Sequence, residues 1–197
     1  MKCVEKFPTG AVLLEPDVHA DSRGMFFETY NELEGLFLGI AAKFVQDNHS
    51  RSIRNVLRGL HYQIQSAQGK LVRVVAGEIY DVAVELRRNS PHFGEWHAVR
   101  LSAENRRMLY IPPGMAHGFL TLSDSADVLY KTSDYYAPQH ERTIRWDDPD
   151  LAIDWPLSEA PVLSNKDRAG VPFCMAEVYD GPVPTRLDYA APSRTEM

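Results

Sequence analysis

Cysteine is scarce in this sequence, and so is any long apolar run. Two cysteines in 197 residues, Cys3 and Cys174, are too few for a disulfide framework or a thiolate zinc site, and both read as packing or surface thiols. The longest apolar stretches, such as Val74-Val75-Ala76 and Val82-Ala83-Val84, fall far short of the ~20 residues that a membrane-spanning helix requires. The opening residues Met1 to Pro8 lack the apolar segment of a secretory signal, so a cytoplasmic protein is expected. A basic excess is missing as well. Lys and Arg number 21 against 27 Asp and Glu, a formal net charge of −6, which argues against a nucleic-acid surface and leaves room for a local basic pocket. Internal repeats and low-complexity segments are also lacking. Residues 1–180 are therefore expected to form a single domain. Residues 181–197 are expected to form an extended tail, because Pro182, Pro184 and Pro192 remove backbone donors.

What the sequence does have is a succession of short alternating segments. From Lys70 to Leu86, Val72 and Val74 alternate with their neighbours, Gly77-Glu78 interrupts, and Tyr80, Val82, Val84 and Leu86 alternate again, which reads as a hairpin. Further strands are expected at 12–15, 26–30, 44–46, 97–101, 108–111, 118–122 and 127–131. Between them lie turn formers such as Asp21-Ser22-Arg23-Gly24 and Pro112-Pro113-Gly114. Many short strands at close spacing predict a mainly β protein, an antiparallel barrel or sandwich of the jelly-roll kind. Helices are a minority. One is expected behind an Asn31 cap, with Leu33, Leu36, Phe37 and Ile40 on one face, and a second short one from Pro149 behind Asp148.

Polar residues concentrate at Gln46 to Ser50, at Leu57 to Gln63 with Gln68-Gly69-Lys70, at Pro112 to Phe119, and from Tyr130 through Asp134-Tyr135-Tyr136 to Ser164-Asn165-Lys166-Asp167. A histidine before a hairpin and a later Pro113-Gly114-x-x-His117 invite a metal-binding cupin reading, with paired histidines and a carboxylate around a divalent ion. The ligand set fails at two places. Gln63 stands where the second histidine would be, and the region of the carboxylate offers Lys70, whose ammonium repels a cation. No metal is expected. A cation facing an imidazole suits another chemistry, removal of a proton next to a carbonyl: His61 as base, Lys70 as stabiliser of the enolate oxygen. Inversion at carbon then needs a proton donor on the opposite face, for which Tyr130 and Tyr136 both qualify.

These residues carry a resemblance. The segments Phe44 to Ser50, Asn55 to Gln63, Gln68 to Arg73, Gly94 to Trp96, Leu101 to Asn105, Pro113 to Phe119 and Leu129 to Lys131 resemble, in order, the dTDP-4-dehydrorhamnose 3,5-epimerase family. Asp154-Trp155-Pro156 and Leu163 to Asp167 close a match that runs from about Val12 to Asp167. The resemblance implies a cupin-type jelly roll, active as a homodimer and without metal or organic cofactor, acting on a dTDP-4-keto-6-deoxyhexose. It further implies that His61 is the general base, that Asp167 pairs with His61, that Lys70 stabilises the enolate at C4, and that Tyr130 delivers the proton on the other face. Arg23, Glu28, Gln46, Asn48, Arg58, His117, Glu141 and Lys166 are implied to contact the nucleotide-sugar, some of them from the partner subunit. Asp167 has a second reading as the closing residue of a Ser164-x-x-Asp167 helix cap. Relatives of the same fold that invert C3 alone or C5 alone share nearly all of these motifs, and a sugar-binding or metal-dependent cupin is the alternative from another class.

Overall fold

The alternating segments become strands, and which face each strand buries is set by its phase. The computed structural model of the chain describes residues 1–185. The chain runs through β1 (Lys2–Lys6), β2 (Val12–Glu15), β3 (His19–Asp21), β4 (Gly24–Phe26), helix α1 (Glu32–Leu38), β5 (Gln46–Ile53) and β6 (Leu57–Gln63). It continues through β7 (Lys70–Ala76), β8 (Glu78–Glu85), β9 (Trp96–Ser102), β10 (Met108–Ile111), β11 (Met115–Thr121) and β12 (Ser125–Thr132), followed by β13 (Glu141–Thr143) and the short helix α2 (Asn165–Arg168). One sheet has the order β1-β2-β10-β7-β12-β5 and the other β13-β6-β11-β8-β9, while β3 and β4 form a separate ribbon. From β5 to β8, and again from β9 to β12, each strand lies in one sheet and its successor in the other. That crossing defines a cupin-type jelly roll, as expected for a mainly β chain.

The stretch from Lys70 to Leu86 departs from the expected hairpin. β7 pairs with β10 and β12, whereas β8 pairs with β11 and β9, so Gly77 carries the chain across the barrel instead of folding it back. Gly77 has φ +76°, and a Cβ there would lie 2.0 Å from the carbonyl oxygen of Ser125; only glycine fits this crossing. An arch between sheets and a hairpin within one leave the same alternation in the sequence, because alternation reports a strand's phase and not its partner.

Between the sheets, Val72 and Val74 meet Ile79, Ala83, Leu109, Phe119 and Val128. The outer face of the five-stranded sheet is covered in turn, with Leu57, Tyr62, Val82, Val84 and Leu120 packing on Ile144, Leu151, Trp155 and Tyr179. β11 is consequently buried at all seven positions. Each fully buried aliphatic or aromatic side chain contributes roughly 1.5–3 kcal/mol, so the doubly covered strands β6, β8 and β11 are a stiff frame.

Three local expectations are corrected. Of the 26–30 region only Phe26 is in a strand, the end of β4, and the strand expected at 44–46 begins at Gln46. Behind Asp148 there is a single turn, not a helix: Asp148 Oδ1 accepts from the backbone N–H of Asp150 and Leu151 as a cap would, but Ala152 at φ +46° ends the turn at once. Helix α1 forms behind Asn31, whose side chain accepts from Leu33 N and Glu34 N. Its apolar face is not core, however. Ile40 is buried, past the Gly39 cap, while Leu33, Leu36 and Phe37 are exposed, Phe37 at 90%. No helix among the described residues is long and apolar enough to cross a membrane. The start of the expected tail lies against the barrel, with Pro184 O accepting from Ala67 N at 2.8 Å; its remainder, 186–197, lies outside the described residues.

Candidate active site

A cavity of about 360 Å³ is lined from both sheets. β6 supplies His61, β7 Lys70, β11 His117 and β12 Tyr130. His61 Nε2 lies 2.6 Å from Oδ1 of Asp167, which is 3% exposed in the first turn of α2. Ser164 caps that turn, accepting from Asp167 N at 3.1 Å, and its hydroxyl donates to Asp167 Oδ2 at 2.6 Å. The cap and the dyad are thus one structure, because the cap holds the carboxylate that faces the imidazole. Gly59 N also donates to Asp167 Oδ1, at 3.2 Å. The approach needs a glycine: Gly59 has φ +122°, and a Cβ there would lie 2.5 Å from Gly118 Cα.

An ionised carboxylate only accepts, so Nε2 of His61 carries the proton and Nδ1 keeps the lone pair a base requires. Burial lowers the His61 pKa below that of an ordinary imidazole, with the hydrogen bond to Asp167 opposing. Burial pushes Asp167 upward, but the hydrogen bonds from His61 and Ser164 outweigh it and hold the carboxyl well below the usual carboxylate range. Asp167 is therefore the ionised partner and His61 the neutral one near pH 7.

Lys70 is 8% exposed, and its Nζ makes no hydrogen bond or ion pair with the described residues. Burial lowers its pKa to about 8, with Asp81 and Glu141 resisting. It remains predominantly an ammonium near neutrality and is free to meet a developing negative oxygen. Tyr130 lines the same cavity, its phenol pushed up by burial and so protonated, as a donor must be. Behind His117 stands a second buried pair, His117 Nε2 at 2.7 Å from Asp81 Oδ1. Asp81 was not among the sequence candidates. Its signal was a carboxylate in the same phase of β8 as the inward Ile79 and Ala83, one step diagonally from His117 across β11.

Gln46, Asn48, Arg58, Glu141 and Lys166 also line the cavity. Arg58 Nε donates to Ser52 Oγ at 3.0 Å, which aligns the guanidinium from β6 toward β5. Lys166 Nζ donates to Glu141 Oε1 at 2.8 Å, and Tyr136 Oη donates to Glu141 Oε2 at 3.0 Å. Two expected contacts are not brought in by this chain. Arg23 sits in the exposed β3–β4 turn and pairs with Asp21 at 2.6 Å, and Glu28 accepts from Asn31 Nδ2 at 3.3 Å; neither lines the cavity. Gln68, Phe119 and Tyr136 do line it, and of these the sequence marks only Tyr136 as a candidate.

Fold and site together define a cupin-type barrel equipped to move protons at carbon, with an oriented imidazole, a buried ammonium and a phenol on one cavity. The dTDP-4-dehydrorhamnose 3,5-epimerase family model matches residues 8–174, and the chain belongs to that family. It is 57% identical over 180 residues to a dTDP-4-dehydrorhamnose 3,5-epimerase of Pseudomonas aeruginosa, covering 91% of this chain and 99% of that relative. A Methanothermobacter thermautotrophicus protein of the same name is 54% identical over 172 residues, covering 86% and 93%. The crystal structure of the Legionella pneumophila dTDP-6-deoxy-D-glucose-3,5-epimerase in complex with dTDP-4-keto-L-rhamnose superposes with a TM-score of 0.84 at 49% identity, covering 87% of this chain and 94% of that one. ChmJ, a 3'-monoepimerase from Streptomyces bikiniensis, in complex with dTDP-quinovose, superposes with a TM-score of 0.78 at 36% identity, covering 84% of each chain.

Proposed function

We propose that this protein is an isomerase that inverts C3 and C5 of dTDP-4-dehydro-6-deoxy-D-glucose, giving dTDP-4-dehydro-L-rhamnose on the way to dTDP-L-rhamnose. The observation that carries the reading is the meeting of the His61–Asp167 pair, the unpaired ammonium of Lys70 and the phenol of Tyr130 on one cavity. Both carbons flank the C4 ketone. His61 takes the proton from carbon, the electron pair moves into the carbonyl, and Lys70 meets the resulting enolate oxygen. Tyr130 returns a proton to the opposite face, and the sequence repeats at the second carbon. Gln46, Asn48, Arg58, His117, Glu141 and Lys166 hold the nucleotide-sugar, with Arg58 suited to the diphosphate by its planar fork. The chemistry as drawn calls on no metal or organic cofactor. Identity of 57% and 54% to double epimerases, against 36% to a monoepimerase, favours inversion at both carbons.

Solvent exchange tests this directly. In deuterated water, NMR of the product should show label at both C3 and C5, and His61→Ala should remove it. Label at one carbon alone would reassign the chain as a single-position epimerase, and no label at either would refute the activity. A cytoplasmic location goes with this reading and is checked by cell fractionation.

A homodimer is part of the proposal. Met25 and Phe26 on β4, and Leu33, Leu36 and Phe37 on α1, are all exposed large apolar side chains, the kind of surface a partner covers. Arg23 and Glu28 lie in the same N-terminal region and away from this chain's own cavity. A second copy covering that surface would receive both residues in its cavity. Sedimentation should give twice the chain mass, and Phe37→Asp should shift the protein toward monomer with weaker dTDP binding; a monomeric wild type would refute it.

A further inference from the structure

Gln63 is left without a task by the proton-transfer set. It follows His61 by two residues on the same face of β6 and is 4% exposed, at the position where a metal-binding barrel would carry its second histidine. Its amide is fully engaged. Nε2 donates to the carbonyls of Ser66 at 2.8 Å and Tyr135 at 3.2 Å, and Oε1 accepts from Ala137 N at 2.8 Å. Two more glutamines grip the same segment: Gln46 Oε1 accepts from Tyr136 N at 3.1 Å, and Gln68 Nε2 donates to Asp134 O at 3.0 Å.

The segment from Asp134 to Ala137 lies outside the strands, so no ladder satisfies these backbone groups. They present donors and acceptors by turns, and a primary amide is the side chain that answers both from one head. Gln63 holds the backbone on either side of Tyr136. From Tyr136 the contacts run on to Glu141 and Lys166 along one wall of the cavity.

We propose that Gln63 is a positioning residue: through the backbone flanking Tyr136 it sets the wall of Tyr136, Glu141 and Lys166 against which the substrate binds. Proton transfer stays with His61 and Tyr130, and stabilisation of the enolate oxygen with Lys70. The proposal rests on the reading of this cavity as the sugar-nucleotide site.

Gln63→Met keeps the length of the side chain and removes its hydrogen bonds. KM for the keto-sugar and Kd for dTDP should each rise about tenfold, with kcat within about twofold of wild type. Amide exchange at Ala137 should quicken. In a Tyr136→Ala background, Gln63→Met should add less than about twofold to KM, because both changes act on one wall. A lowered kcat with unchanged KM, or fully multiplying effects on KM, would overturn the proposal. Should Gln63→Met fail to fold, Gln68→Met removes one bond to the same segment, and an unchanged KM there would overturn it equally. Binding of dTDP and exchange at Ala137 need no turnover, so they test Gln63 even if the isotope experiment refutes the epimerase reading.

Discussion

Lys70→Met is expected to abolish turnover and, at the same time, to make the protein harder to unfold. The ammonium is buried, and burial lowers its pKa to about 8 from 10.5. Below pH 8 the lysine is protonated in both folded and unfolded chains, so the folded state bears the whole desolvation penalty, on the order of 3 kcal/mol. Methionine fills nearly the same volume without a charge. At pH 7 the variant should therefore melt several degrees higher, at about 2–4 °C per kcal/mol for a chain of this size. Between about pH 8 and 10.5 the unfolded chain binds more protons than the folded one, so wild-type stability rises with pH and the advantage of the variant shrinks. Urea titrations at pH 7 and pH 10 read both effects. A lower unfolding midpoint at pH 7 would show that the ammonium is compensated in the folded protein. Activity should fall by about 10³-fold or more, since the enolate oxygen loses the buried ammonium that meets it. His61 and Lys70 together shape the pH profile of kcat/KM. It should fall on the acid side as His61 gains a proton, below the ordinary imidazole range, and on the alkaline side near pH 8 as Lys70 loses one. Lys70→Arg should remove the alkaline limb.

The conflict between stability and chemistry predicted at Lys70 bears on what could be read from the chain. His61 and Lys70 were legible because each lies in a short polar motif beside a strand, and the chemistry of an imidazole and an ammonium narrows the reactions they can share. Asp167 was not legible from the residues alone. It lies 106 positions from His61, and its local context, Ser164-x-x-Asp167, is fully explained as a helix cap; only the family resemblance paired it with the imidazole. Both readings hold, since the Ser164 hydroxyl that caps α2 also binds the carboxylate. Asp81 escaped notice because its meaning depends on the strand facing β8, which alternation cannot name.

The fold divides along the same line. Strand positions at 12–15, 97–101, 108–111 and 127–131 follow from periodicity, a property of one segment. Partners do not, which is why alternation predicts a hairpin where Gly77 makes an arch. The stripe of Leu33, Leu36 and Phe37 is a different case, a helix face that forms as expected and lies exposed. An apolar helix face records that something covers it, and the amino acids are the same whether the cover is the chain's own core or another molecule.

Asp167→Asn should leave the barrel folded and lower kcat by about 10³–10⁴-fold. The side chain keeps its shape, but an amide offers both a donor and an acceptor where the carboxylate only accepts. If Nδ2 turns to His61, the imidazole must present its lone pair at Nε2, and the proton then sits on Nδ1, the atom that has to receive one from carbon. If Oδ1 stays in place the tautomer survives, but the imidazolium formed in the transition state has lost its counter-charge. Either route acts through His61, so His61→Ala combined with Asp167→Asn should be little worse than His61→Ala alone. The acid limb supplies an independent reading. Asp167 is the group that holds the His61 pKa up against burial, so its neutralisation should move the limb to lower pH while the rate falls. A variant with wild-type kcat and an unmoved acid limb would mean that β6 orients the imidazole unaided and that Asp167 serves only the cap.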